Sequence, residues 1–354
     1  MTLSPVFKYT EKLAAVIEAL GERGFNEALA VQKNAVSRLF SDLKEIIGDS
    51  SLDPSLESVL APESDATFAQ RYFFITLFTL IFKTMGIEGA RLDFYARMNY
   101  CIMGTTAAAD NLFDSEDKLF LPLKADGGAI YHSVLQLMCF ERLAAKTGRC
   151  AIADGVLDEG QFAEIQKGIF DTMADIGSLE GSEEGGVDDI PSPSEMVRDV
   201  HGVRGGLLFS LATIAPSHLE ASETLKMIGS AAEAIRSLGT AFQIVDDISD
   251  FEFDLSRKSH NILVSEIHHN GTAEERAALE SVWHAHEVPG EFVENNAMSS
   301  ATRALSTAVE LIADSLASLD ALGFSIDEEM SKELAVAFAS TRGTPRLEAV
   351  SSLL

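Results

Sequence analysis

The chain has 354 residues, 46% hydrophobic and 23% charged, a composition that suits a folded protein with a substantial core and excludes a disordered one. Its net charge of −28 argues against nucleic acid and anionic membrane surfaces as direct partners, although metals can bring an anionic small molecule to an acidic protein. The three cysteines, Cys101, Cys139 and Cys150, form no close pair, so a reducing cytoplasmic setting is expected rather than a disulfide framework.

The opening "MTLSPVFKYTEKLAA" lacks the charged-then-apolar pattern of a secretory leader. "YTEKLAAVIEAL" and "EALAVQKNAVSRLFSDLKEII" carry apolar residues three and four apart, the helical period. A loop with two prolines then leads to "YFFITLFTLIF", Tyr72 to Phe82. That stretch is too short to span a bilayer and suits a buried helix, so no stable membrane insertion is expected. The segments "GARLDFYARMNYCIMGTTAAADNLFDSEDK", "GGAIYHSVLQLMCFERLAAKTG" and "DEGQFAEIQKGIFDTMADIGSL" continue the helical pattern. The acidic loop "EGSEEGGVDDIPSPS" follows; the run "SLEGSEEGGVDD" is read as solvated and mobile, with a lid as the sharper alternative. Helical periodicity resumes at "SEMVRDVHGVRGGLLFSLATIA" and runs through "SSATRALSTAVELIADSLASLDAL" and "DEEMSKELAVAFASTR". Alternating strand patterns are scarce. The expected fold is all-α, one large helical bundle over residues 1–354, with residues 1–60 as an outer helical layer.

Two acidic clusters stand out. In "FQIVDDISDFEFD", an unbroken helix would place Gln243, Asp246, Asp247, Asp250 and Asp254 within about a 100° arc, with Ile244, Val245, Ile248 and Phe251 behind them. Such a front is costly: Asp is a poor helix former, and carboxylates four apart repel. In "DNLFDSED", Asp110, Asp114 and Asp117 share a face within about 60°. One acidic stripe is ordinary solvated surface; two at helix ends suit Mg²⁺, which binds through one or two carboxylates plus substrate phosphate oxygens. No Ca²⁺ loop of the D-x-[DN]-x-[DN]-G kind occurs.

"LGTAFQIVDDISDFEFDLSRKSHN" resembles the second aspartate-rich motif of the trans-isoprenyl diphosphate synthases: a Phe-Gln pair, D-D-x-x-D, then a lysine near a bend. "DNLFD" resembles their first motif, and "VRGGLLFSLA" their Lys-Thr-Gly-x-Leu-Phe segment, in order over about residues 60–265. The resemblance implies a helical bundle of the isoprenoid synthase type, whose two motifs face a central cavity. It implies Asp110, Asp114, Asp246, Asp247 and Asp250 as metal ligands, with Asp110, Asp114 and Asp246 central to catalysis. It implies Mg²⁺, three ions bound with the substrate diphosphate, a prenyl diphosphate substrate, and a homodimer. Gln243, Lys258 and Arg204 match diphosphate-binding positions, and Phe242 and Thr106 positions that line the pocket.

Three departures shape the reading. Asn111 stands where the family has a second Asp. The Gly-Gly-Lys-Arg-x-Arg-Pro segment is reduced to Arg71, and the Arg-Arg pair after the first motif to Lys118. In the family those cations bind a second, homoallylic diphosphate. Their loss favours an isoprenyl-diphosphate-synthase-like terpene synthase that ionises one allylic diphosphate and then cyclises or quenches the cation. The alternatives are a geranylgeranyl or polyprenyl diphosphate synthase with an altered isopentenyl diphosphate site, a non-catalytic subunit of a heteromeric synthase, or an acidic scaffold. The run Gly104, Thr105, Thr106, Ala107, Ala108 and Ala109 lacks an aromatic plug, which suits a C15–C20 or longer chain; close helix packing explains it equally. Phe73, Phe74, Phe209 and Phe242 are read first as core and second as cavity lining. Asn261, Ser265 and His269 half-match another terpene synthase motif, read as chance. His268, His269, His284 and His286 are read as surface, and His201 as structural.

Overall fold

Apolar residues recur three and four positions apart through most of the chain, and the backbone follows that period into helix after helix. The computed structural model describes residues 10–114, 117–124, 127–283, 288–320, 322–324, 326, 328–340 and 345–353. Among these the only β pairing is one antiparallel bridge, Leu52 to Leu123, so the all-α expectation holds. The first helices are α1 (Thr10–Ile47), α2 (Pro54–Leu60), α3 (Asp65–Thr84), α4 (Gly89–Asp114), α5 (Ala129–Ala153) and α6 (Glu159–Ser182). A short turn α7 (Pro193–Glu195) runs into a π-helical stretch (Met196–Leu207) and then α8 (Leu208–Leu219). There follow α9 (Ser222–Ser249), α10 (Phe251–Arg257), α11 (Ile262–Asn270), α12 (Ala273–Val282), α13 (Phe292–Asn296), α14 (Met298–Asp320), α15 (Glu328–Ser340) and α16 (Pro345–Ser351). None of them is long and apolar enough to cross a membrane.

The described chain divides into two compact units. The first takes in residues 20–167 and 211–228, the second 11–19, 168–210 and 229–353. In the first, α4 packs along α5 with Gly104 at the crossing. A methyl group on Gly104 would lie 1.9 Å from Cζ of Phe140, so only glycine lets that fully buried ring seat. Tyr72, Tyr100 and Phe140 form a chain of rings, with centroids 5.6 and 6.1 Å apart. The two phenols satisfy their polar tips on the Leu60 and Phe120 carbonyls, which lets the rings be fully buried.

In the second unit α14 buries one face, including Ala301, Ala304, Leu305, Ala308, Ile312 and Leu316, and packs with α11, α15 and α16. Ser315 donates to the Ala234 carbonyl at 2.8 Å, fastening α14 to α9. Ile244, Val245 and Ile248, the apolar back of the second aspartate motif, are all fully buried. The π-helical stretch carries Gly202, Gly205 and Gly206, residues that weaken an ordinary helix. Gly205 also meets Gly239 of α9 backbone to backbone: a methyl group on Gly205 would lie 2.3 Å from the Gly239 carbonyl oxygen.

Gly104→Val should overpack the α4–α5 crossing and lower stability by about 2–3 kcal/mol in urea unfolding; an unchanged midpoint would mean that Phe140 can move aside at no cost.

Candidate functional site

The second aspartate motif does not form one helix. Helix α9 stops at Ser249, Asp250 adopts φ −104° and ψ 15°, and α10 begins at Phe251. The Asp254 N–H still reaches the Asp250 carbonyl at 3.0 Å, so the axis bends without a loop. The break falls where like charges four apart accumulate at the unfavourable end of the helix dipole. It separates the aspartates by environment: Asp250 is exposed, Asp246 half-buried, and Asp247 buried at 2% exposure.

Asp247 points inward. Its Oδ2 lies 2.8 Å from Nε2 of the fully buried His201 and accepts the Ile262 N–H at 2.8 Å. Its Oδ1 accepts from Nε2 of Gln243 at 3.2 Å. Both oxygens that the resemblance assigns to metal are thus engaged by the protein itself. Burial alone would raise the Asp247 pKa; the charge and hydrogen bond of His201, the charge of Arg204 and the Ile262 N–H outweigh it and hold the carboxyl below its ordinary value. Asn261 completes the knot: Oδ1 caps α11 at the Leu263 N–H, while Nδ2 donates to the Asp247 carbonyl and to Asp254, each at 2.8 Å. Burial, and then the charge of Asp247, push the Asp254 carboxyl well above the usual range, with Asp250 adding to the shift.

Arg204, on the π-helical stretch, is held by two acids. Its Nε and Nη2 donate to Glu180, and Nη2 donates to Glu183 at 2.8 Å. Glu183 also accepts from the His260 N–H and lies 2.8 Å from His260 Nδ1. Burial would raise the Glu183 pKa, but the His260 hydrogen bond and the Arg204 charge lower it below the ordinary value. Lys258 sits in left-handed backbone geometry (φ 57°, ψ 38°) at the end of α10, and its carbonyl accepts the Val187 N–H at 2.8 Å. Ser265 donates to the Pro191 carbonyl at 2.6 Å, and His269 Nε2 lies 2.9 Å from that of Ile190. Of the run "SLEGSEEGGVDD", the residues through Ser182 belong to α6 and Val187 is bonded to Lys258, while Ile190 and Pro191 just beyond it are bonded to α11. Asn261, Ser265 and His269 form one face that does the capping and fastening, which accounts for their half-match to a metal motif.

In the first motif Asp110 is exposed on α4, and the backbone of Asp114 closes that helix; the Asp114 side chain lies outside the described residues. Asn111, 1% exposed, donates from Nδ2 to the Lys118 carbonyl at 2.9 Å and accepts the Lys118 N–H at 3.0 Å. Gln136 of α5 adds a donor to the same carbonyl and an acceptor for the Phe120 N–H. An aspartate could not donate to a carbonyl, so the change from the family's Asp to Asn111 has a local structural reason. Thr106, one turn before Asp110, is half-buried and bonds back to the Ile102 and Met103 carbonyls. Gly104 and Ala108 are consumed by packing.

Arg71 donates to the Val59 carbonyl, joining α3 to α2. Phe73 is core, fully buried and stacked on Phe25. Phe242 is half-buried between Phe209 and Phe338, at 6.3 and 5.5 Å between centroids. His284 and His286 lie outside the described residues. Among the described residues no cluster of three or more His, Cys, Asp or Glu is arranged to hold a metal alone. The donors at the end of α9 are hard oxygens, the kind a divalent cation such as Mg²⁺ takes; the raised Asp254 carboxyl follows from its burial first and from the charges of Asp247 and Asp250 second. Glu180, Glu183, His260 and Gln136 were not legible as site neighbours, because each reaches its partner across a tertiary contact.

No protein-family model matches the sequence, and no curated protein does. Solved structures match over nearly the whole chain. A polyprenyl synthase from Caulobacter crescentus CB15, solved with calcium and isoprenyl diphosphate, is 15% identical, with 96% of this chain and 100% of that chain covered and a TM-score of 0.62. Heptaprenyl diphosphate synthase from Staphylococcus aureus is 14% identical, covering 88% and 98%, with a TM-score of 0.59. Geranylgeranyl pyrophosphate synthetase from Pyrococcus horikoshii Ot3 is 13% identical, covering 90% and 99%, with a TM-score of 0.55. The chain thus has the all-α fold of the trans-isoprenyl diphosphate synthases.

Two predictions follow from these contacts. Asn111→Asp restores the family motif, yet should lower stability by about 1–3 kcal/mol in urea unfolding, since the Lys118 carbonyl loses a donor; equal stability would contradict the clamp. Glu183, with a lowered folded pKa, stabilises the protein fully above the ordinary carboxylate value of about 4.3. That stabilisation is lost as pH falls through the lower folded value. The melting-temperature gap between wild type and Glu183→Gln should therefore be widest near neutrality and close in acid.

Proposed function

We propose that the chain is a Mg²⁺-dependent enzyme that ionises one allylic prenyl diphosphate, C15–C20 or longer, and cyclises or quenches the cation. The observation that carries this reading is a contrast. Asp246 and Asp250 keep solvent access at the break that ends α9, whereas of the cations that bind a second diphosphate in the family the sequence keeps only Arg71 and Lys118. That contrast in sequence supports provision for one diphosphate rather than two. The likeness to a polyprenyl synthase solved with calcium and isoprenyl diphosphate supports divalent-metal prenyl diphosphate chemistry.

In this reading Asp110, Asp114, Asp246 and Asp250 hold Mg²⁺, three ions in all. The metal, when bound, neutralises charge on the departing diphosphate. Asp247 orients rather than ligates, since His201, Ile262 and Gln243 take its oxygens. Arg204 reaches the diphosphate through Nη1, which neither glutamate holds, and Lys258 and Gln243 are the further diphosphate-binding candidates. Phe242 offers a ring to the cation. Thr106, half-buried one turn before Asp110, is the residue of the small run offered as lining the pocket for the chain, since Gly104 and Ala108 are taken up by packing. The Lys118 contacts give Asn111 a local structural role beside its bearing on the non-catalytic alternative. The second reading, a prenyltransferase with an altered isopentenyl diphosphate site, is favoured by what the solved neighbours are named for.

The test incubates the protein with Mg²⁺ and C10, C15 or C20 allylic diphosphate, with and without isopentenyl diphosphate. Diphosphate release and a hydrocarbon or alcohol from the allylic substrate alone are expected, falling about 100-fold or more in Asp110→Ala and Asp246→Ala. Elongation with isopentenyl diphosphate, and no product without it, would favour the prenyltransferase.

A further inference from the structure

The break at Asp250 frees carbonyls at the end of α9, and one side chain collects them. Arg346 of α16, 9% exposed, donates from Nη1 to the Ile248 carbonyl at 3.0 Å and to that of Ser249 at 3.4 Å. The same guanidinium is forked on two carboxylates. Nη1 and Nη2 meet Glu252 at 2.8 and 2.7 Å, while Nε and Nη2 meet Glu294 at 2.7 and 3.0 Å. Glu252 also accepts the Phe292 N–H at 3.1 Å, tying the start of α13 to the same point. Arg346 therefore binds the last turn of α9, the first turn of α10 and α13 into one rigid joint. Asp250 is the residue in the middle of that joint, and its N–H is bonded to the Asp246 carbonyl at 2.9 Å.

From this geometry we infer that Arg346 is a positioning residue for the Asp246–Asp250 pair. It touches neither carboxylate; it fixes the backbone from which both project. Lysine cannot replace it, because one ammonium cannot fork on two carboxylates and cap two carbonyls together. This inference rests on the metal-binding reading of Asp246 and Asp250. Groups that orient metal ligands typically contribute 10–100-fold to metal affinity.

The test titrates wild type, Arg346→Met and Arg346→Lys with Mg²⁺ in the presence of inorganic pyrophosphate by calorimetry. It also follows amide hydrogen exchange at residues 248–252 in metal-free protein. Ser315→Ala, which loosens α14 from α9 away from the joint, serves as the stability control. Expected are a half-saturating Mg²⁺ concentration raised about tenfold in both Arg346 variants, faster exchange at 248–252, and neither change in Ser315→Ala. Should Arg346→Met fail to fold, Arg346→Lys and Glu294→Gln carry the test. Unchanged Mg²⁺ dependence in folded Arg346 variants, or an equal shift in Ser315→Ala, overturns the inference while leaving the metal reading intact. Failure of wild type itself to bind pyrophosphate with Mg²⁺ overturns both.

Discussion

A carboxylate with 2% of its surface exposed needs a full set of donors, and Asp247 finds them on three stretches of chain. His201 comes from the π-helical stretch, Gln243 from α9 itself and the Ile262 N–H from the start of α11. Removing a charge from water costs several kcal/mol unless such partners are in place. The elements around it are therefore not free to slide, and Asp246 and Asp250 are held on a fixed frame. Asn261 extends the same constraint to Asp254 and to the cap of α11.

The same logic governs the cations near this knot. Arg204 is held by Glu180 and Glu183, and Glu183 reaches on to His260. Preorganisation of this kind places a guanidinium before any ligand arrives, so less binding energy is lost to ordering it. Arg346 does for the far end of α9 what His201 does for its interior: each ties that helix to a distant stretch of the second unit. The low sequence identity to solved neighbours, 15% or 14% over most of the chain, is compatible with this, since the frame can be rebuilt from different residues on one backbone plan.

The all-α fold was legible because Ile244, Val245, Ile248 and their counterparts elsewhere repeat at helical spacing, and burial follows that repeat. The break at Asp250 was not legible, since no Gly or Pro marks it; it arises from charge and from donors remote in sequence. Asp247 carried a partial signal. It lies three residues after Ile244 and four before Phe251, on the border of the apolar stripe, which is where an inward carboxylate would sit. Asn111 was read as a missing charge, while its partner, the Lys118 peptide, shows it to be a clamp. Gly104 was read as room for substrate or as packing, and the Phe140 ring decides for packing. Arg346 left no local trace, because Glu252 and Glu294 lie 94 and 52 residues away from it.

In the proposed function neighbouring aspartates have opposite duties: Asp246 for the ligand, Asp247 for the frame. The most direct measurement sets Asp246→Asn beside Asp247→Asn. It reads diphosphate release from geranylgeranyl diphosphate with Mg²⁺, and the urea midpoint of the metal-free protein. Asp246→Asn should lose release, whereas Asp247→Asn should unfold at clearly lower urea than wild type. Full release by Asp246→Asn, or a wild-type midpoint for Asp247→Asn, would contradict the division.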